Sequence, residues 1–182
     1  MSQTTQQTSQ QTTERNRRIV LAQRPNGLPD DNTLRLEDAL VPEPASGEVL
    51  LRTMYLSLDP YMRGRMNDAK SYAELVKIDE VMTGQVVAEV MSSDHADYAV
   101  GDHVLADSGW QDYAVSDGTG LVNLGSDPSH SSWALGILGM PGYTAFAGLL
   151  KIGEPKAGET IVVAAASGPC LLYTSPSPRD RG

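Results

Sequence analysis

Thr160-Ile161-Val162-Val163-Ala164-Ala165-Ala166-Ser167-Gly168-Pro169 is the stretch that decides how this chain reads. Thr160 to Ala165 is apolar or β-branched without alternation, as a central parallel strand covered on both faces requires. Ser167, Gly168 and Pro169 then open a loop of the kind that turns tightly on glycine and aims backbone amides at a phosphate from a helix N-terminus. One glycine after a strand is a weak signal by itself. The residues leading into it give it weight.

Immediately upstream, Gly158-Glu159 makes the turn into the strand. Before it, Pro141 stands where a helix would start, with Tyr143, Phe146, Ala147 and Leu150 at i, i+3, i+4 and i+7. Gly153 and Pro155 end that helix. Ser131 is placed to cap a preceding helix carrying Trp133, Ile137 and Leu138. Further back the texture is different. Ile19–Leu21, Val49–Tyr55, Val81–Val90, His103–Ala106 and Gly109–Val115 read as short strands, with turns roughly every ten residues. That pattern predicts a small, mostly antiparallel barrel. A barrel followed by helices and one parallel strand is α/β overall, with a second domain beginning near residue 130.

Composition narrows the function. The 182 residues carry a net charge of −9, which argues against nucleic acid and anionic membranes as partners. No Lys or Arg occurs between Lys77 and Lys151, a stretch holding ten acids, from Asp79 to Asp127. It reads as a solvated acidic face or, less simply, as an acidic docking surface. One Cys (Cys170) and three His (His95, His103, His130) without ligand spacing leave no basis for a metal site. No apolar run is long enough to span a membrane, and no basic-then-apolar leader opens the chain, so a cytoplasmic protein is expected. Residues 2–13 are all Ser, Gln and Thr and are expected to be disordered.

Three segments carry a resemblance. They are Tyr55-Leu56-Ser57-Leu58-Asp59-Pro60-Tyr61-Met62-Arg63-Gly64-Arg65-Met66, then Leu135-Gly136-Ile137-Leu138-Gly139-Met140-Pro141-Gly142-Tyr143-Thr144-Ala145-Phe146, then Ile152 through Ala166. In order and spacing they resemble the medium-chain dehydrogenase/reductase superfamily, and within it the zinc-independent, NADP-dependent alkenal/one-reductase branch. The resemblance covers about residues 16–169, the N-terminal half of a family member. It implies a GroES-like barrel over the substrate, and a Rossmann domain that would hold NADP(H) without zinc. It also implies hydride transfer to the β-carbon of a small-molecule enal or enone. Members often dimerise through the sheet that follows, so a homodimer of the full-length protein is compatible with it.

The same resemblance points to residues. Tyr61 matches a substrate-pocket tyrosine, able to offer a hydrogen bond and a ring face, though a barrel tyrosine packed for its area would look the same. Arg63 could steer an acidic substrate end or pair with Asp59. Met140 and Thr144 fall on the helix that passes the nicotinamide, where Met140 would shape the wall and Thr144 would bond the carboxamide. Alternatively Met140 is core and Thr144 bonds its own helix backbone. Ser167, Gly168 and Pro169 would begin the phosphate loop. Zinc-dependent relatives carry a Cys near Asp59 and a Gly-His-Glu later; here the latter reads Gly84-Gln85-Val86 and the former has no Cys.

From Cys170 to Asp180 the family pattern is lost, and Pro176 and Pro178 exclude the helix that should follow. Read back into codons, these residues resemble a transposase adaptor used in sequencing libraries, so a foreign tail is expected; a truncated native protein is the alternative. The expected division is a tail at 1–15, a GroES-like substrate domain at 16–130, the start of a Rossmann domain at 131–169, and 170–182 foreign. A chain so divided lacks an adenine pocket and a 2′-phosphate reader and is expected to be inactive alone. A quinone reductase-like cousin and a non-catalytic GroES-like binding module are the competing readings.

Overall fold

The computed structural model describes residues 15–68 and 73–162. Seven strands come first: β1 (Arg15–Leu21), β2 (Leu34–Leu40), β3 (Val49–Leu56), β4 (Val86–Ser93), β5 (His103–Ala106), β6 (Tyr113–Ser116) and β7 (Val122–Gly125). A five-residue helix, α1 (Tyr61–Arg65), interrupts them. β1 and β2 pair as a two-stranded sheet, and the others form a five-stranded sheet in the order β6-β3-β4-β5-β7. Every pair is antiparallel. Irregularities in the β3–β4 register at Leu50/Leu51 and Thr53/Tyr55 are where bulges bend the sheet.

β1 joins the two sheets. Isolated bridges link Arg18 with Gln111 and Val20 with Val81. The Ile19 amide donates to the Trp110 carbonyl at 2.9 Å, and the Met82 amide donates to the Ile19 carbonyl at 2.9 Å. The Asn16 side chain extends this seam: its amide donates to the Tyr113 carbonyl and its oxygen accepts from the Tyr113 amide, both at 2.9 Å. A buried side chain here satisfies the backbone groups that a further strand would otherwise have to meet.

Two cores result. Val49, Leu51, Val86, Ala88, Val90, Val104 and Ala106 fill one face of the large sheet. Leu21, Met62, Met66, Val76 and Met82 fill the other cluster, which seats α1. The expected strand over Val81–Val90 starts only at Val86. Residues 79–82 bond instead along β1, and a Cβ at Gly84 would stand 2.9 Å from Leu56 Cδ1 and 3.0 Å from the Trp110 ring, so those side chains would have to shift. The strand expected at Gly109–Val115 is likewise confined to Tyr113–Ser116, because 109–112 bonds to β1 and to residues 82–84.

The helical segment opens with a 3₁₀ helix, Pro128–Leu135. Its cap is Asp127 rather than Ser131. The Asp127 carboxylate accepts from the Ser129 amide at 2.9 Å and from its hydroxyl at 2.6 Å, which holds that carboxyl below its usual range. Asp followed by Pro combines a strong cap with a ring preset for the first turn, which outweighs Ser131 deeper in the segment. Residues three apart eclipse in a 3₁₀ helix, and His130 stacks on Trp133 with centroids 4.0 Å apart. α2 (Met140–Phe146) begins with Pro141 in its first turn and continues as a π-helix, Ala147–Gly153. Glu154, at φ 43°, closes it by donating to the Leu149 carbonyl, so the left-handed position falls one residue beyond Gly153.

Thr160–Val162 form no strand, and Val162 is 87% exposed. A parallel strand takes its hydrogen bonds from neighbours on both sides, and none stands beside these residues among those described. Val163–Pro169, including Ser167, Gly168 and Pro169, lie outside the described residues, as do the N-terminal tail and Cys170–Gly182.

Candidate active site

α1 divides its few side chains among three directions. Met62 and Met66, four apart, are buried in the second core. Tyr61 and Arg65, also four apart, line an open cavity of about 640 Å³, and the Tyr61 ring packs against that core as well. Arg63 points to neither.

That cavity is bounded by Tyr61, Arg65, Ala73, Glu74, Thr83, Gln85, Asp107 and Met140. Its walls therefore come from α1, from the segments before β4 and after β5, and from the first residue of α2. The volume lies within the roughly 300–1,000 Å³ typical of small-molecule sites. Arg65 donates from Nη1 to the Glu74 carbonyl at 2.9 Å, and its guanidinium carbon sits 5.6 Å from the centre of the Tyr61 ring. The cation thus braces the ring it covers. Glu74 and Asp107 add two carboxylates to the wall, and Gln85 supplies an amide.

Of the residues singled out from sequence, Tyr61 and Met140 meet in this cavity, although they are far apart in the chain. Thr144 stands one turn along α2, its hydroxyl donating to the Met140 carbonyl at 2.8 Å. Its oxygen keeps lone pairs that can still accept. Arg63 makes no ion pair with Asp59. Its guanidinium donates from Nε to the Gly27 carbonyl at 3.1 Å and from Nη2 to the carbonyls of Gly27 and Pro25. Nη1 donates to Asn67 Oδ1. The reason is geometric: Asp59 precedes the helix, while the long Arg63 side chain reaches across to the carbonyls of the 25–27 turn.

Arg65, Glu74, Thr83, Gln85 and Asp107 were not anticipated as wall residues. Arg65 was readable, since i, i+4 from Tyr61 shares its face. The others arrive from loops, which no local pattern brings together. A second cavity, about 370 Å³, lies among Ile19, Leu36, Leu56 and Trp110 and includes none of the anticipated residues. Among the described residues, no three His, Cys, Asp or Glu side chains gather as a metal site. Nor is any single helix among them long and apolar enough to cross a membrane.

This geometry can be set beside known proteins. The profile of the N-terminal domain of oxidoreductase matches residues 17–124. The NADPH-dependent curcumin reductase of Escherichia coli (strain K12) is 60% identical over 156 residues, covering 86% of this chain and 45% of that protein. Prostaglandin reductase 1 of Oryctolagus cuniculus is 41% identical over 146 residues, covering 79% and 40%. The crystal structure of CurA in complex with NADPH from Vibrio vulnificus superposes with a TM-score of 0.79 at 60% identity, covering 85% of this chain and 46% of that one.

The chain belongs to the oxidoreductase family that this domain defines, the medium-chain dehydrogenase/reductases. The α/β class with a GroES-like antiparallel domain at its N-terminal side is therefore the fold. The chain spans less than half the length of the relatives it matches.

Proposed function

We propose that this chain is the substrate-side portion of an NADPH-dependent reductase acting on the C=C bond of α,β-unsaturated aldehydes and ketones. The observation that carries the reading is the meeting of Tyr61 and Met140 in one cavity, in a chain 60% identical to a curcumin reductase. The cofactor, when bound, supplies the hydride. Met140, the first residue of the helix that would face the nicotinamide, forms one wall of the cavity, and Thr144 offers an acceptor for a carboxamide N–H. The cavity accommodates this arrangement, since it is open and bounded on one side by α2 itself. Ser167, Gly168 and Pro169 are the residues assigned to the phosphates.

Tyr61 has the substrate-side role. Its phenol donates toward the carbonyl oxygen as negative charge collects there, while its ring, backed by Arg65, presents an apolar face to the enone. Orientation and polarisation are what the protein contributes to such a reaction. Division of labour between a substrate domain at 16–130 and a cofactor domain from 131 follows from the same reading, as does a cytoplasmic setting.

Tyr61→Phe keeps the ring and removes the donor. In the whole product of the source gene, kcat/KM for an enone is expected to fall on the order of 10²-fold, with the KM for NADPH unchanged. NADPH consumption with a 2-alkenal, an enone and a quinone measures this and separates the quinone-reductase reading. Unimpaired enone turnover by Y61F would remove Tyr61 from the mechanism. The 182-residue chain assayed in parallel tests whether the residues here suffice.

A further inference from the structure

Two arginines lock the turn at 24–29 to α1 from both sides. Arg24 Nη1 donates to the carbonyls of Met66 and Asn67, each at 2.9 Å. These carbonyls stand at the C-terminal end of α1, where helix carbonyls have no partner within the helix. In return Arg63, inside the helix, donates to Pro25, Gly27 and Asn67. A five-residue helix without a side-chain N-cap has little stability of its own. The buried Met62 and Met66, with the half-buried Tyr61 packed beside them, fix how deep it sits, but flexible thioether side chains constrain its rotation about its own axis only weakly. The paired arginines, with their planar forks, define it well.

We propose that Arg24 and Arg63 are positioning residues that set the direction of Tyr61 into the cavity. The proposal rests on the functional reading above. Neither arginine lines the cavity, so neither acts on substrate directly. They act through the angle of α1.

The test uses Arg63→Gln and Arg24→Gln in the whole gene product, two variants that open the clamp from opposite ends. Each is expected to lower kcat/KM for an enone by about 10- to 100-fold, the scale of a misplacement near 1 Å, with the KM for NADPH unchanged. Each should also speed amide hydrogen exchange at Met66 and Asn67, whose N–H groups bond to Arg63 and Gly64. In a Tyr61→Phe background Arg63→Gln should cost little more, because both changes remove the same interaction. Equal penalties in both backgrounds would overturn the proposal. So would unchanged exchange in both variants, whatever the activity. A wild-type product that reduces no enone sinks the functional reading and the catalytic half of this one. Faster exchange in the variants would then leave only a clamp on the fold.

Discussion

Single residues decide how closely the segments around β1 can approach. Gly109 has φ +77°, and a Cβ there would stand 2.5 Å from the Met82 carbonyl oxygen. The backbone cannot yield, because Gly109 donates to the Gly84 carbonyl at 3.0 Å and Trp110 donates to Met82 at 2.9 Å. Gly109→Ala is therefore expected to cost about 2–4 kcal/mol, combining a left-handed backbone with overpacking. Gly101, at φ +89° with open space around it, isolates the first of these, and Gly101→Ala should cost only about 1–2 kcal/mol. Denaturation midpoints of the two variants measure the difference, and equal losses would mean the close approach to Met82 is not a constraint. At this scale the sequence was readable where a residue's chemistry is local. Pro141 in the first turn of α2 follows from backbone preference alone. The Gly109–Met82 approach joins two distant segments and leaves no local mark.

At the scale of elements, β1 and β2 are tied by charge. Glu37 accepts from Arg35 and Arg18, and Arg35 also reaches Asp79. The Arg35 guanidinium first, and Arg18 next, hold the Glu37 carboxyl below its ordinary value. A carboxyl depressed on folding adds stability that is present above its unfolded pKa and lost as pH falls through the folded one. Thermal melts from neutral to acid pH should therefore fall less steeply for Glu37→Gln than for wild type in the region just below the ordinary carboxylate range. Parallel curves would show that solvent screens the network to nothing. β2 itself was not evident from sequence. Leu34–Leu40 contains Arg35, Glu37 and Asp38, and Leu36 and Leu40 are exposed, so its strand character comes from pairing with β1 rather than from a buried alternating face. β5, whose four residues are mostly buried, was readable over its full length. The cavity was half legible for the same reason: Tyr61 and Met140 sit in recognisable motifs, whereas Glu74 and Asp107 come from connecting segments.

Over the whole molecule, two features oppose each other. The chain carries −9 net charge, which keeps copies apart. The helical segment nonetheless exposes Leu138, Tyr143 and Ile152, at 74%, 74% and 82%. Exposed apolar surface on that scale drives association. Raising salt screens the repulsion and leaves the apolar term in place. The 182-residue chain is thus expected to sediment as larger species at high salt than at low salt, and Leu138→Glu with Ile152→Glu should abolish the shift. Salt-independent monomers would show that the face is too broken up to matter.

The seam between Asn16 and Tyr113 has a further consequence, in time rather than in space. The two residues are 97 positions apart. During synthesis at roughly 5–20 residues per second, β1 leaves the ribosome about 5–20 s before its partner exists. Until residues 79–82 emerge to bond along it, β1 has only β2, and a lone two-stranded hairpin is marginal in water. The first strand made is one of the last to be secured, so the nascent chain passes through a window in which proteases and chaperones meet an unfinished N-terminus that the completed protein never displays.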